Sequence, residues 1–162
     1  DFLKCWSGLG YYNRAINFYK SVSIINKKFK GILPEDKNEL LNLPGIGEYT
    51  ANAIVAIGYN KRAFPIDVNV KRLISRLIKE SITDQQVSEI LNKITLKKRN
   101  FRKFAESMMD YSSSICKKNS PQCQECIFQS YCKSAFKKFI PLKKKKILSK
   151  NINFYLKLIR IN

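Results

Sequence analysis

Leu43-Pro44-Gly45-Ile46-Gly47-Glu48-Tyr49-Thr50-Ala51 is the stretch on which the fold turns. It lies between two segments with helical character. Pro44-Gly45 reads as a turn. Two glycines at this spacing strip away side chains where a helix begins, so backbone N–H groups can approach a phosphate. Leu43, Gly45, Ile46, Gly47 and Thr50 are the candidate phosphate-binding positions. A helical hairpin with a glycine turn also occurs as plain architecture. The charge of the chain favours the phosphate reading.

That charge is formally +19, from 31 Lys and Arg against 12 Asp and Glu in 162 residues. Such an excess on one domain suits a polyanion, through phosphate neutralisation and counterion release. A chain rich in Lys, Asn and Ile is also what an A·T-rich genome encodes, so charge alone adds modest weight. The 44% apolar fraction, with ten Phe and eight Tyr, can build an ordinary core. The complete lack of histidine excludes Ser–His and Cys–His catalysis, HExxH zinc sites and every imidazole ligand. The start shows no secretory signal, and no apolar run approaches the roughly 18 residues of a membrane span. The expectation is a protein that is neither secreted nor membrane-bound. Since the chain starts without Met, on what reads as mid-helix, it is also expected to be a piece of a longer protein.

Outward from the hairpin the reading is nearly all helix. Asp1 to Ser7 reads as a helix end, broken by Gly8-Leu9-Gly10. A helix is predicted from about Tyr12 to Phe29, with Ala15, Tyr19, Val22, Ile25 and Phe29 as its apolar face. Asp36 with Glu39 resembles a capping box for a short helix through Leu43. A small-residue helix should run from Glu48 to about Ile57. Pro65 biases Phe64 away from helix. Asp67 then stands where an N-cap belongs, and Val70, Leu73, Ile74 and Leu77 form the core face of the next helix. Thr83 with Gln86 caps another, to about Leu96. Lys97-Lys98-Arg99 interrupts, and Phe101 to about Ser114 is helical again.

Cys116, Cys123, Cys126 and Cys132 follow, with the spacing C-x6-C-x2-C-x5-C. Four thiolates in one compact loop can close a tetrahedral zinc site or hold a [4Fe–4S] cluster, and the spacing leaves both open. Five cysteines, an odd number, in a chain with no export signal argue against a disulfide framework. Cys5, beside Trp6, reads as a buried apolar residue rather than a ligand. Asp67 alone reads as a helix cap. Its sharper reading is a carboxylate whose charge a helix N-terminus favours, able to stabilise a sugar cation.

Four segments, in order, carry a resemblance. Trp6-Ser7-Gly8-Leu9-Gly10-Tyr11-Tyr12-Asn13-Arg14-Ala15 resembles the W-x-G-L-G-Y-Y-x-R-A signature of MutY-type adenine DNA glycosylases. Leu43 to Ala51 resembles their helix–hairpin–helix. Phe64 to Arg72 resembles their D-G-N-V-x-R segment, and Met108-Met109-Asp110 with the four cysteines resembles their cluster loop. The resemblance covers residues 1 to about 135 and implies one [4Fe–4S] cluster on Cys116, Cys123, Cys126 and Cys132. It implies that Asp67 stabilises or traps the oxocarbenium ion, and that Asn69 helps hold that site. Tyr49 falls where some members have a catalytic-site Tyr. The related endonuclease III group has a Schiff-base Lys there, so a phenol implies a monofunctional enzyme. Val68 departs from the usual Gly, and Ile127 from a common Pro.

The resulting expectation is an all-α, two-lobed helix–hairpin–helix glycosylase fold with a four-cysteine iron–sulfur loop, incomplete at its N-terminus. The incomplete glycosylase domain spans 1–136, with a hairpin lobe at about 1–64 and an iron–sulfur lobe at about 65–136. A basic linker occupies 137–152, and 153–162 is the first strand of a truncated C-terminal domain. The family helix that carries the general-acid Glu lies outside these residues, so the fragment alone is expected to be inactive. The expected partner is duplex DNA with adenine opposite 8-oxoguanine or guanine, bound by a monomer in the cytoplasm or another DNA-containing compartment. The rivals are an endonuclease III-like glycosylase/lyase and a non-catalytic DNA-binding iron–sulfur module.

Overall fold

The computed structural model describes residues 2–95, 100–137 and 139. The expected break at Lys97-Lys98-Arg99, the Lys143 to Lys146 run and the strand at 153–162 lie outside the described residues. All regular structure among the described residues is helical. None of the described helices is long and apolar enough to cross a membrane. The chain divides into two compact units, Asp1–Pro65 and Ile66–Asn162.

The first unit holds α1 (Phe2–Cys5), α2 (Tyr12–Phe29), α3 (Lys37–Leu41) and α4 (Glu48–Ala53). The Gly8-Leu9-Gly10 break separates α1 from α2, and the Trp6 indole N–H donates to the Gly10 carbonyl at 3.0 Å. Helix α2 has the expected bounds, yet its predicted apolar face is only partly covered, with Ile25 and Phe29 half-buried. Ala15 is buried, whereas Tyr19 is 60% exposed and Val22 is also exposed. The buried polar residue on α2 is Ser21, which donates to the Pro44 carbonyl at 2.7 Å and so ties α2 to the hairpin turn. Cys5 corrects another expectation. It is exposed, because α1 is a four-residue helix that buries no residue.

Helix α3 ends at Leu41, two residues before the expected end, and its cap is as read: Asp36 accepts from the N–H groups of Asn38 and Glu39. Helix α4 does not continue in α form to Ile57. Ile54–Gly58 winds as a π turn. Leu40, Leu43, Ala51, Val55 and Ala56 form the small core that holds the hairpin together.

The second unit is built around α5 (Val68–Ile78), packed against α6 (Asp84–Ile94) and α7 (Phe101–Ser114). Helix α5 buries Val70, Leu73, Ile74, Leu77 and Ile78. Helix α6 contributes Val87, Ile90 and Leu91. After α7 the cysteine loop contains two single 3-10 turns, Cys123–Glu125 and Gln129–Tyr131. Thr83 and Gln86 form a complete capping box at the start of α6. The Thr83 hydroxyl accepts from Gln86 N–H at 3.2 Å, and Gln86 accepts from Thr83 N–H at 2.8 Å. Thr83→Ala removes a cap that satisfies an orphan N–H. It should cost about 1 kcal/mol of stability, read as a lower chemical-denaturation midpoint with an unchanged m-value.

Candidate functional site

In the first unit the site is the turn from Leu43 to Glu48. Ile46 N–H donates to the Leu43 carbonyl at 3.1 Å, closing a turn with Pro44 and Gly45 as its central residues. Gly45 has φ +81°, the backbone that a type II turn demands at this position. A Cβ built on Gly45 would lie 2.9 Å from the Asn17 Cβ of α2, so the glycine also permits close packing. Gly47 differs on both counts. It caps α4 with φ −99°, which any residue adopts, and a Cβ built there meets nothing within 4 Å. The first N–H groups of α4 have no intrahelical acceptor and receive no side-chain cap from Gly47. Leu43 is buried, so its side chain belongs to the core rather than to a contact surface. Ile46 and Thr50 are half-buried, and Tyr49, on the first turn of α4, is 41% exposed.

In the second unit Asp67 is the N-cap of α5. Its Oδ1 accepts from Asn69 N–H at 2.9 Å and Val70 N–H at 2.7 Å, and its Oδ2 accepts from Asn69 Nδ2 at 2.7 Å. A carboxylate has about four acceptor directions, so these three bonds leave one unused. Asn69 is itself held: its Oδ1 accepts from Arg72 Nη1 at 2.8 Å. Val68, beside the carboxylate, is 77% exposed.

Cys116, Cys123, Cys126 and Cys132 line a single cavity with Leu73, Arg76 and Leu77 of α5, and all four are free thiols. Among the described residues, no three Cys, Asp or Glu side chains converge tightly enough to hold one metal ion. Arg72 and Arg76 seat this loop. Arg72 Nε donates to the Cys116 carbonyl at 2.7 Å, and its Nη2 donates to the Ser112 carbonyl at 3.0 Å. Arg76 donates to the carbonyls of Lys117 at 2.7 Å, Lys118 at 2.8 Å and Phe139 at 3.1 Å. Its Nη1 also lies 3.5 Å from the Cys116 sulfur.

Burial pushes the Cys132 thiol pKa up, a shift that the Ser134 backbone hydrogen bond opposes. Tyr111 lies above the ordinary phenol range, through burial first and then its hydrogen bond with Cys126. Tyr111, Arg72 and Arg76 are site residues that the sequence reading missed. The available signal was a pair of arginines one turn apart on the buried face of α5, amid Val70, Leu73, Ile74 and Leu77.

Comparison with known proteins gives a consistent picture. A helix–hairpin–helix motif matches residues 28–57. Adenine DNA glycosylase from Buchnera aphidicola subsp. Acyrthosiphon pisum is 40% identical over 96% of this chain, which covers 47% of that relative. The chain thus spans about half the length of the relative it matches. A thermostable thymine-DNA glycosylase superposes with a TM-score of 0.72 at 25% identity, over 82% of this chain and 63% of that one. Endonuclease III, in a trapped covalent intermediate with DNA, superposes with a TM-score of 0.64 at 30% identity, over 80% of this chain and 61% of that one.

The two hairpin glycines should respond oppositely to the same change. Gly45→Ala meets both a left-handed backbone and Asn17, and should lose about 1–3 kcal/mol of stability. Gly47→Ala should stay within about 0.5 kcal/mol of the parent. Equilibrium urea unfolding of the two variants distinguishes them, and equal losses would show that the turn is not built as described.

Proposed function

Because the chain belongs to the MutY-type helix–hairpin–helix DNA glycosylases, we propose that its parent protein excises adenine mispaired with 8-oxoguanine or guanine in duplex DNA. The observation that carries this reading is the Asp67 carboxylate, fixed by three N–H donors at the start of α5 with one acceptor direction unused. Adenine specificity rests on the likeness over 96% of the chain to an adenine DNA glycosylase.

In this reading the adenine is turned out of the duplex. Asp67 places negative charge against the sugar as the N-glycosidic bond breaks and positive charge grows on the ring. Asn69 acts on Asp67: its Nδ2 pins Oδ2, and Arg72 pins Asn69 in turn. Water then attacks the sugar cation. The leaving adenine needs a proton, and a general acid of this kind typically contributes roughly 100- to 10,000-fold. In the resembled family that acid is a Glu, carried on a helix other than those whose motifs are matched here. Tyr49 falls where some members of the resembled family have a catalytic-site Tyr, and because a phenol forms no imine the enzyme hydrolyses without cleaving the strand. The hairpin presents the backbone around Gly47 to a DNA phosphate. The protein acts as a monomer in the cytoplasm or in another compartment that holds DNA.

The four cysteines are assigned to one [4Fe–4S] cluster. A single zinc would need four sulfurs about 2.3 Å from one point. The four thiols line one cavity, and four cysteine sulfurs are the donor set that such a cluster takes. Arg76 supplies positive charge beside Cys116. When bound, the cluster fixes the loop that Arg72 and Arg76 seat. A non-catalytic DNA-binding module remains the second reading, favoured by the exposed Val68 where the resembled family has Gly.

Three outcomes are expected of the full-length protein. Single-turnover assays on an A·8-oxoguanine duplex, with alkali to reveal abasic sites, should show excision that falls at least about 100-fold in Asp67→Asn. A full-length protein that binds the duplex but never excises would leave the non-catalytic module standing. Gly47→Val should weaken binding to duplex DNA of any sequence by roughly tenfold, about 1.4 kcal/mol, and wild-type binding should weaken steeply with salt. Anaerobically purified protein should be brown with about four irons per chain, unchanged in Cys5→Ser.

A further inference from the structure

Tyr111 stands on the last turn of α7, five residues before the first loop cysteine. Its hydroxyl lies 3.2 Å from the Cys126 sulfur and accepts from the Ile127 N–H at 2.8 Å. The Phe128 ring meets the Tyr111 ring edge-on, with centroids 5.5 Å apart and planes at 83°. A metal-bound thiolate has no proton to give, so in the loaded site the phenol must be the donor. Its oxygen then accepts the backbone N–H. The two bonds therefore run one way, from Ile127 N–H through the Tyr111 hydroxyl to the Cys126 sulfur. Linked donors of this kind polarise one another. A proline at 127 would bring no N–H and would leave the hydroxyl without this constraint.

We propose that Tyr111 sets the reduction potential of the metal centre by donating a hydrogen bond to the Cys126 sulfur, in an orientation that the Ile127 N–H holds. This rests on the cluster reading of the four cysteines given above. A hydrogen bond to a ligand sulfur stabilises the more reduced, more negative state of an iron–sulfur cluster and so raises its potential. Arg76 is a different kind of contact. Its guanidinium also holds the carbonyls of Lys117, Lys118 and Phe139, so removing it would disturb the loop itself. Tyr111→Phe keeps the ring and its contact with Phe128, and deletes only the hydroxyl.

The test is protein-film voltammetry with iron analysis on the full-length, cluster-loaded protein, its Tyr111→Phe and Ile127→Pro variants, and the double variant. Tyr111→Phe should keep its iron and shift to a more negative potential. Ile127→Pro should shift the same way by less, and the double variant should shift no further than Tyr111→Phe, because Ile127 acts through the hydroxyl. Brown Tyr111→Phe protein with the wild-type potential would overturn the Tyr111 assignment and leave the cluster reading intact. Cluster loss in Tyr111→Phe that anaerobic reconstitution does not reverse would also overturn it, since a tuning bond is dispensable for assembly. Additive shifts in the double variant would remove Ile127 from the proposal. Colourless wild-type protein carrying zinc would instead sink the cluster reading, and this inference with it.

Discussion

Two guanidinium groups on one helix gather the carbonyls that the end of α7 and the start of the cysteine loop would otherwise leave unpaired. Arg72 and Arg76 stand four residues apart on α5, so they lie one above the other on one face. Between them they donate to the carbonyls of Ser112, Cys116, Lys117, Lys118 and Phe139. Helix ends leave their last carbonyls without intrahelical donors, and a loop pressed against a core cannot turn them all to water. Arg76 is 7% exposed. A charge so buried is tolerated only where its donors are used, and a planar fork with five N–H groups uses them in a fixed geometry that an ammonium cannot copy.

Helix α5 therefore serves two regions at once. Its first residues hold the Asp67 carboxylate, and its inward arginines seat the loop that carries the four thiols. The two jobs meet at Arg72, which bonds to Asn69 on one side and to the Cys116 carbonyl on the other. Val70, Leu73, Ile74 and Leu77 then lock the helix into the unit by burial alone. The chemistry proposed for Asp67 needs a carboxylate in a fixed orientation, and every contact that orients it comes from within three residues of its own chain position or from Arg72.

Much of this was legible in the residues because local rules were strong there. Gly10 and Gly31 bracket α2, and Pro65 with Asp67 sets the start of α5. The Thr83–Gln86 pair marks α6. The hairpin and the four-cysteine loop are punctuated by Pro and Gly. What escaped the reading depends on neighbours far along the chain. The spacing of Arg72 and Arg76 put them beside the apolar face of α5, but it could not name the carbonyls some forty residues away to which they donate. Nothing in the local pattern singles out Tyr111, whose partners lie fifteen and sixteen residues further on. The apolar pattern of α2 named a face but could not say whether anything covers it, and Tyr19 is exposed. The π turn at Ile54–Gly58 has no local signature among Ile, Val and Ala.

The unlike surroundings of the two hairpin glycines carry a consequence for how such a sequence ages. Position 45 is closed by the protein itself, since its backbone is left-handed and Asn17 fills the space a side chain would need. Position 47 is closed by nothing among the described residues. A lineage that stopped using the hairpin on DNA would still be held to glycine at 45 for as long as the domain folded, while 47 drifted freely. Under the phosphate contact proposed for it, a glycine at 47 would record use, whereas the one at 45 records only folding.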